Sequence, residues 1–250
     1  MSRVEPKVEL LSYTPEPEMT VAMAAKLCYS SSHISDLADT DSESQAKFIK
    51  RLMSMGHLSP IEHASFTFGI EGVSRSFLAQ ITRHRIASFS VQSQRYVGQS
   101  KEGGVMNYIL PPSIEALGEE AVAEYEKQME TMSGWYAEWI EKLGGKSQSA
   151  NEDARFVLPN ACETRMVMTM NARELLHFLA LRCCRRAQWE IREVAWQMLE
   201  LVYPVAPSIF SKAGPGCVSK GCPEGKFTCG DPSWAREMLA GIKAKTDKTE

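Results

Sequence analysis

Much that would classify this chain quickly is missing from it. No apolar run approaches the roughly 20 residues that a membrane-spanning helix requires. Its first stretch, MSRVEPKVELLSYTPEPEM, carries charges throughout and lacks the apolar core of a secretory signal. Positive charge is not in surplus: 28 Lys and Arg stand against 31 Asp and Glu, a formal net charge of -3. That argues against a protein that coats nucleic acid, because such proteins carry a basic excess that neutralises phosphates. Seven cysteines, an odd number without an export signal, fit reduced thiols better than a disulfide framework. Cys217, Cys222 and Cys229 lie close together, but they form no C-x2-C pair and no fourth ligand is evident. Thiols in a loop-rich extension, and no metal, are expected there. No serine sits in a G-x-S-x-G elbow, and no internal repeat or low-complexity tract occurs. What these absences lead one to expect is a soluble cytoplasmic protein that spans no membrane and does not coat nucleic acid.

What is present is ordinary globular material. Apolar residues make up 44% and charged residues 24%, and 250 residues can bury a sizeable core. KVELLSYT is β-like, and PEPEMTVAMAAKLCYS turns helical after its prolines. DSESQAKFIKRLMSMGH sets Ala46, Ile49, Leu52 and Met53 along one helical face, with Gly56 as the stop. In ASFTFGIEGV, Phe66, Phe68 and Ile70 share one side of a strand. SRSFLAQITRHR reads as a helix with Ser74 as its N-cap, and the chain leaves that helix as a loop. Helical periodicity then runs from Ser113 to Leu143, closed by Gly144-Gly145. A shorter helix starts with Ser149 and Glu152 spaced as a capping box and stops at Pro159. TRMVMTM alternates Met166, Met168 and Met170 as a second strand. The spacing predicts one long helix from about Ala172 to Tyr203, capped by Asn171 with Glu174. Its apolar stripe is Leu176, Ala180, Cys183, Ala187, Ile191, Val194 and Met198. The closing AGIKAKTDKTE reads as a frayed tail. The pattern is that of one compact α+β unit, with residues 1–210 as the domain and 211–250 as a cysteine-containing extension and tail.

The chemistry concentrates in RHRIASFSVQSQRY, Arg83 to Tyr96. Arginine offers a rigid fork of donors suited to phosphate and stays charged. Serine hydroxyls and loop amides can complete a phosphate cradle. Three readings stay open on these residues alone. They are a phosphate-bearing small molecule, a single-stranded nucleic acid stacked on Phe89 and Tyr96, and a solvated turn. Taken alone, His84 is a structural histidine at a helix end, and Arg155 a solvated helix arginine.

Arg83-His84-Arg85, seven intervening residues and Ser93-Gln94-Arg95 together resemble the signature of the flavin-dependent thymidylate synthases. SPIEHASF (Ser59–Phe66), RFVLPNACETR (Arg155–Arg165) and MNARELLHFLALRCCRRAQWEIR (Met170–Arg192) resemble the same family in the same order, over roughly residues 45 to 205. The resemblance implies a mostly antiparallel sheet packed by helices with a long C-terminal helix. It also implies reductive methylation of dUMP to dTMP. The carbon comes from methylenetetrahydrofolate, the hydride from reduced FAD, and NADPH restores the flavin. No cysteine adds to uracil in this reaction, and none here stands in a Pro-Cys-His context.

By the same resemblance Arg83, His84, Arg85, Ser65 and His63 lie against FAD, as do Asn171, Ala172, Arg173 and His177. Gln80, Ile81, Thr82 and Arg83 would hold dUMP together with Val91, Gln92, Ser93, Gln94 and Arg95, and Val91 would also meet FAD. Ser93 and Arg95 would face the phosphate, and Arg155 is a second contact. Ser93 is expected to bind rather than attack, since no base is evident to activate it. Arg182 is the catalytic expectation. A permanent cation beside the uracil ring favours ionisation at N3 and stabilises the enolate-like charge that makes C5 nucleophilic. Arg185 and Arg186 read as surface residues. Two positions depart from the family pattern. His177 stands where Asn is common, and Val91, where relatives often carry Glu or Gln, can offer only its backbone. The family also implies a homotetramer whose active sites combine residues of different chains.

Overall fold

The structure is a computed structural model that describes residues 2–37, 41–99 and 106–248. Its strands are β1 (Lys7–Tyr13), β2 (Ser65–Ser74), β3 (Ala87–Val91) and β4 (Glu163–Asn171). They form an antiparallel sheet in the order β1-β2-β4-β3. The helices of the first half are α1 (Pro17–Leu27), α2 (Ser42–Ser54), α3 (Arg75–Ile81), α4 (Pro112–Glu115) and α5 (Glu119–Lys142). Those of the second are α6 (Gln148–Ala154), α7 (Ala172–Arg182), α8 (Trp189–Val202), α9 (Pro207–Phe210) and α10 (Pro232–Thr246). Strand β3 replaces the loop expected after α3. It lies at the sheet's end, where half-buried Ala87, Phe89 and Val91 alternate with exposed Ser88 and Ser90, a two-residue period that the sequence carries but that is too short and too polar to stand out from a loop.

The described residues of 2–7, 70–83 and 90–167 pack as one compact unit. In it Ser74 caps α3 as expected, its hydroxyl accepting from the Phe77 amide at 2.9 Å, while Phe77 and Ile81 are buried. Gly72 (φ 68°) passes so close to Glu5 that a Cβ would lie 1.9 Å from the Glu5 carbonyl oxygen. Only glycine meets both demands. Helix α5 buries Met129, Ser133, Tyr136 and Ile140 at three- and four-residue spacing. Met129 joins Met106, Tyr108, Leu110 and Cys162 in one cluster. The single helix expected from Ser113 is two, because Gly118 turns the chain at φ 100° between α4 and α5. The cap of α6 is Ser147 rather than Ser149. The chain is still extended at Ser147, whose hydroxyl accepts from the Ala150 amide at 3.0 Å.

The described residues of 8–69, 84–89 and 168–248 form a second compact unit. Phe66 and Phe68 of β2 and Met168 and Met170 of β4 point into its core, and Phe66 meets Phe210 edge-on at 5.5 Å. Helix α2 is capped by Asp41 and buries Ile49 and Leu52. The long helix expected from Ala172 to Tyr203 is broken into α7 and α8 across residues 183–188. On α7 the buried apolar positions are Ala172, Leu175, Phe178 and Leu179, so the predicted stripe through Leu176 and Ala180 is out of phase. Side chains of α8 and of its N-cap Gln188 supply what the helix ends at the break lack. The Gln188 amide oxygen accepts from the Glu190 and Ile191 amides, both at 3.1 Å. Arg192 donates to the Arg185 and Ala187 carbonyls, and the Trp196 indole donates to the Cys183 carbonyl. Such carbonyls would otherwise be orphaned helix-end acceptors. The frayed tail is instead largely α10. Asp231 caps it, and Ala235, Leu239 and Ile242 bury one face; Thr249 and Glu250 lie outside the described residues.

Candidate functional site

In the first unit the loop after β3 is tied down from several sides. The Gln92 amide donates to the Arg165 carbonyl at 2.9 Å, and the Arg95 amide donates to the Ser93 hydroxyl at 3.2 Å. Asn151 donates to the Arg95 carbonyl at 3.2 Å, and the Gln99 amide donates to the Tyr136 hydroxyl at 3.3 Å. Gln94 is buried, and its amide donates to the Cys162 thiol at 3.6 Å. Its backbone, rather than its side chain, is what a ligand could meet.

The Arg95 guanidinium, half-exposed, meets the Glu152 carboxylate at 2.7 Å. With its amide turned to face the same guanidinium, the Gln148 oxygen accepts two further bonds at 2.7 and 2.8 Å. Arg155 sits one turn on, its Nε donating to the Glu152 carbonyl at 3.0 Å. Arg95 and Arg155 thereby both meet Glu152, the first at its carboxylate and the second at its carbonyl, while Ser93 is tied to the Arg95 amide; the motif did not flag Glu152. The i,i+3 spacing of Glu152 and Arg155 was the available hint. Ser93 Oγ has no base bonded to it among the described residues. Cys162 is no nucleophile either: burial pushes its thiol up to about 11. Gln80, Ile81, Thr82 and Arg83 close α3. Ile81 is core, Thr82 back-bonds to the Leu78 carbonyl at 2.8 Å, and Arg83 is exposed. No side-chain hydrogen bond joins these four to the Ser93–Arg95 loop among the described residues. Val91, half-buried, ends β3.

In the second unit the start of α7 is stapled to the segment before β2. The Ala172 amide donates to the Ala64 carbonyl at 2.7 Å, and Arg173 pairs with Glu62. Asn171 caps the helix, accepting from the Glu174 amide at 2.9 Å. Exposed His63 and half-buried Ser65 lie on this segment, so it gathers His63, Ser65, Asn171, Ala172 and Arg173.

Two turns on, a buried cluster forms around His84. Its Nδ1 lies 3.3 Å from Glu174 Oε1, and its Nε2 accepts from Arg182 Nε at 3.1 Å. His84 is 6% exposed and Glu174 8%. The rings of Phe178 and His177 lie edge-on at 5.0 and 6.1 Å. An arginine nitrogen only donates, so Nε2 must carry a lone pair and the proton sits on Nδ1, directed at the carboxylate. The imidazole is therefore neutral. Desolvation is the largest cause, opposed by the Glu174 hydrogen bond and seconded by Arg182, and it holds the His84 pKa below the ordinary histidine value. Glu174 does not return to Asn171 as a capping box would have it. Glu174, Phe178 and Arg182 recur every four residues on one face of α7, a signal the sequence offered for this cluster.

The neighbouring arginines are engaged elsewhere. Arg185 bonds Asp231 at 2.5 Å and stacks on Trp234 at 4.9 Å, and Arg186 bonds the Phe227 carbonyl and covers its ring. Arg85 is exposed, with no ion pair among the described residues. All seven cysteines are free, with Cys217 buried and Cys222 and Cys229 exposed. No group of three His, Cys, Asp or Glu side chains suited to a metal occurs among the described residues.

A family profile described as "Thymidylate synthase complementing protein" matches residues 9–208. A flavin-dependent thymidylate synthase of Geobacter sulfurreducens is 51% identical over 234 residues, covering 93% of this chain and 97% of that protein. This chain belongs to the flavin-dependent thymidylate synthase family. Further members of the family that it resembles come from Clostridium tetani (50% identical, 90% of this chain and 93% of that protein) and Pyrococcus furiosus (42%, 87% and 89%). Among solved structures it is similar to a UMP/dUMP methylase, PolB, of Streptomyces cacaoi bound with 5-Br dUMP. The TM-score is 0.72 at 26% identity, over 86% of this chain and 98% of that one. Among the described residues no helix is long and apolar enough to cross a membrane.

Proposed function

We propose that this flavin-dependent thymidylate synthase converts dUMP to dTMP with methylenetetrahydrofolate as carbon donor, FAD as hydride carrier and NADPH as reductant. In this reading it does so without a cysteine nucleophile, as a cytoplasmic homotetramer whose chains share active sites. The observation that carries the reading is Arg182. Alone among Arg182, Arg185 and Arg186 it is held through Nε by a neutral imidazole, while the C-terminal extension takes up the other two.

The dUMP phosphate falls to Arg95, Ser93 and Arg155. Glu152 and Gln148 now satisfy the Arg95 guanidinium, and a phosphate takes over those charge-assisted bonds. The backbone of the Gln80–Arg83 turn and of Val91 to Gln94 frames the nucleotide. Arg182 faces the pyrimidine at its N3 and O4 edge. There its charge favours the deprotonated ring and the charge that develops as C5 attacks carbon.

The donor set fits an anionic dinucleotide cofactor. Exposed Arg83 and Arg85, Arg173 and the amide end of the 11-residue α7 present positive charge. His63, Ser65, Asn171, Ala172 and His177 complete the FAD contacts. When bound, FAD supplies the redox chemistry, drawing electrons from NADPH and furnishing the hydride. Burial raises the Cys162 and Cys183 thiols, which disfavours attack by either of them.

The test is purified protein reconstituted with FAD. Expected are a flavin spectrum bleached by NADPH and dTMP formation dependent on dUMP and methylenetetrahydrofolate. Arg182→Ala should abolish dTMP while FAD stays bound. A protein that takes up no FAD but retards single-stranded oligonucleotides would overturn the reading.

A further inference from the structure

We infer that His84 and Glu174 are positioning residues: they form a buried relay that fixes the guanidinium of Arg182 through its Nε. The inference rests on the proposed role of Arg182 at the pyrimidine.

Geometry and proton count carry it. Arg182 projects from the last turn of α7, just before the chain breaks. One of its donors is consumed at 3.1 Å by a side chain that is itself buried. His84 comes from the other end of the chain's motif, 98 residues earlier. It can accept that bond only as the Nδ1–H tautomer, and Glu174 at 3.3 Å on the opposite nitrogen selects that tautomer. A carboxylate placed behind an imidazole also makes the far nitrogen a better acceptor. The plane of a guanidinium is set by its Nε substituents, so an anchor at Nε orients the terminal amino groups without occupying them. With both ring nitrogens engaged, His84 is neither the acid nor the base of the reaction. Its contact with a cofactor falls to its backbone.

Protonating His84 would place an N–H where Arg182 already donates, and would set two cations together. The charged or titratable groups facing the ring are Glu174, Arg182 and His177. Burial and Arg182 lower its pKa and Glu174 raises it, with the lowering dominant. The sign follows. The folded protein holds the neutral ring to lower pH than the unfolded chain does. This contribution to stability is therefore full above the ordinary value of about 6.5 and is lost as pH falls toward the lowered folded value.

The experiment uses the FAD-reconstituted enzyme with Glu174→Gln, Glu174→Leu and Arg182→Ala. Glu174→Gln keeps an acceptor for Nδ1–H, so kcat should stay near the parent's. Its acid limb should move to lower pH, because the group that raises the His84 pKa has lost its charge. Glu174→Leu frees the tautomer, and kcat should drop about 100-fold, the scale of a displacement near 1 Å, with the dUMP KM little changed. Nitrogen-15 spectra of the imidazole should show Nδ1–H in the parent and Nε2–H gaining in Glu174→Leu. A merely structural role would lower thermal stability without changing the tautomer or the acid limb. Should Glu174→Leu fail to fold, the acid limb and tautomer of Glu174→Gln decide alone. The relay is overturned if Glu174→Leu turns over like the parent, or if the parent ring is protonated at Nε2, while Arg182→Ala is inactive. An active Arg182→Ala overturns the role of Arg182 itself.

Discussion

Trp196→Phe tests the break between α7 and α8. The indole is 5% exposed, and its N–H donates at 3.2 Å to the carbonyl of Cys183, the residue that follows Arg182. Phenylalanine retains an aromatic body but no donor, leaving that carbonyl without its partner. An unsatisfied buried acceptor costs about 1–3 kcal/mol. The smaller phenyl ring also weakens the edge-on contact with Trp234, 5.7 Å between centroids, by at most the about 0.5–1.5 kcal/mol such a pair is worth. Together these remove about 1–4.5 kcal/mol, and at about 2–4 °C per kcal/mol for a chain of this size the apparent Tm should fall by about 2–18 °C. Thermal unfolding at fixed subunit concentration reads it, alongside kcat. The rate should fall too, because the loosened turn carries Arg182. A variant with the parent's Tm and turnover would refute the claim that α8 side chains hold the break.

Other consequences can be read separately. Arg95→Ala removes a charge-assisted contact worth about 1.5–3 kcal/mol, so the dUMP dissociation constant should rise about 10- to 150-fold, measured by titration, with FAD affinity unchanged. Arg185→Ala should keep its turnover and lose a few degrees of Tm, because this guanidinium is spent on Asp231 and Trp234. An aromatic disulfide reagent should titrate three thiols quickly in the native protein, the exposed Cys28, Cys222 and Cys229. Buried Cys162, raised to about 11, should react only on unfolding.

Strands β2 and β4 were legible because each alternates large apolar residues with half-buried or polar ones, and one face of each is buried. The caps Ser74 and Asn171 were legible because a cap is a local event over four residues. The break after Arg182 was not. No proline or glycine marks Cys183 to Gln188, helical spacing continues across it, and the donors that stabilise it come from Arg192 and Trp196 on the next helix. Helix α10 was masked by its lysines, although Ala235, Leu239 and Ile242 carry the period. The same division holds at the candidate site. The family resemblance implied that Arg95 and Arg182 face ligand. It could not reveal that Arg95 is held by Glu152, or that Arg182 is held by a histidine 98 residues away whose tautomer Glu174 selects. The four-residue recurrence of Glu174, Phe178 and Arg182 hinted at the cluster on α7, but the approach of His84 to it is set by tertiary packing.

The claim on which the chemistry turns is that Arg182 lowers the energy of the ionised pyrimidine. The direct measurement is the N3 pKa of bound dUMP, followed across pH by ultraviolet difference or nitrogen-15 spectra in the parent and in Arg182→Gln, each loaded with FAD. Unit charges about 4 Å apart at an effective dielectric near 20 interact by about 4 kcal/mol, or about 3 pKa units. The parent should hold N3 well below its free value, and Arg182→Gln should return it upward by as much as about 3 units. An identical N3 pKa in the two proteins, with the nucleotide bound in both, would contradict it.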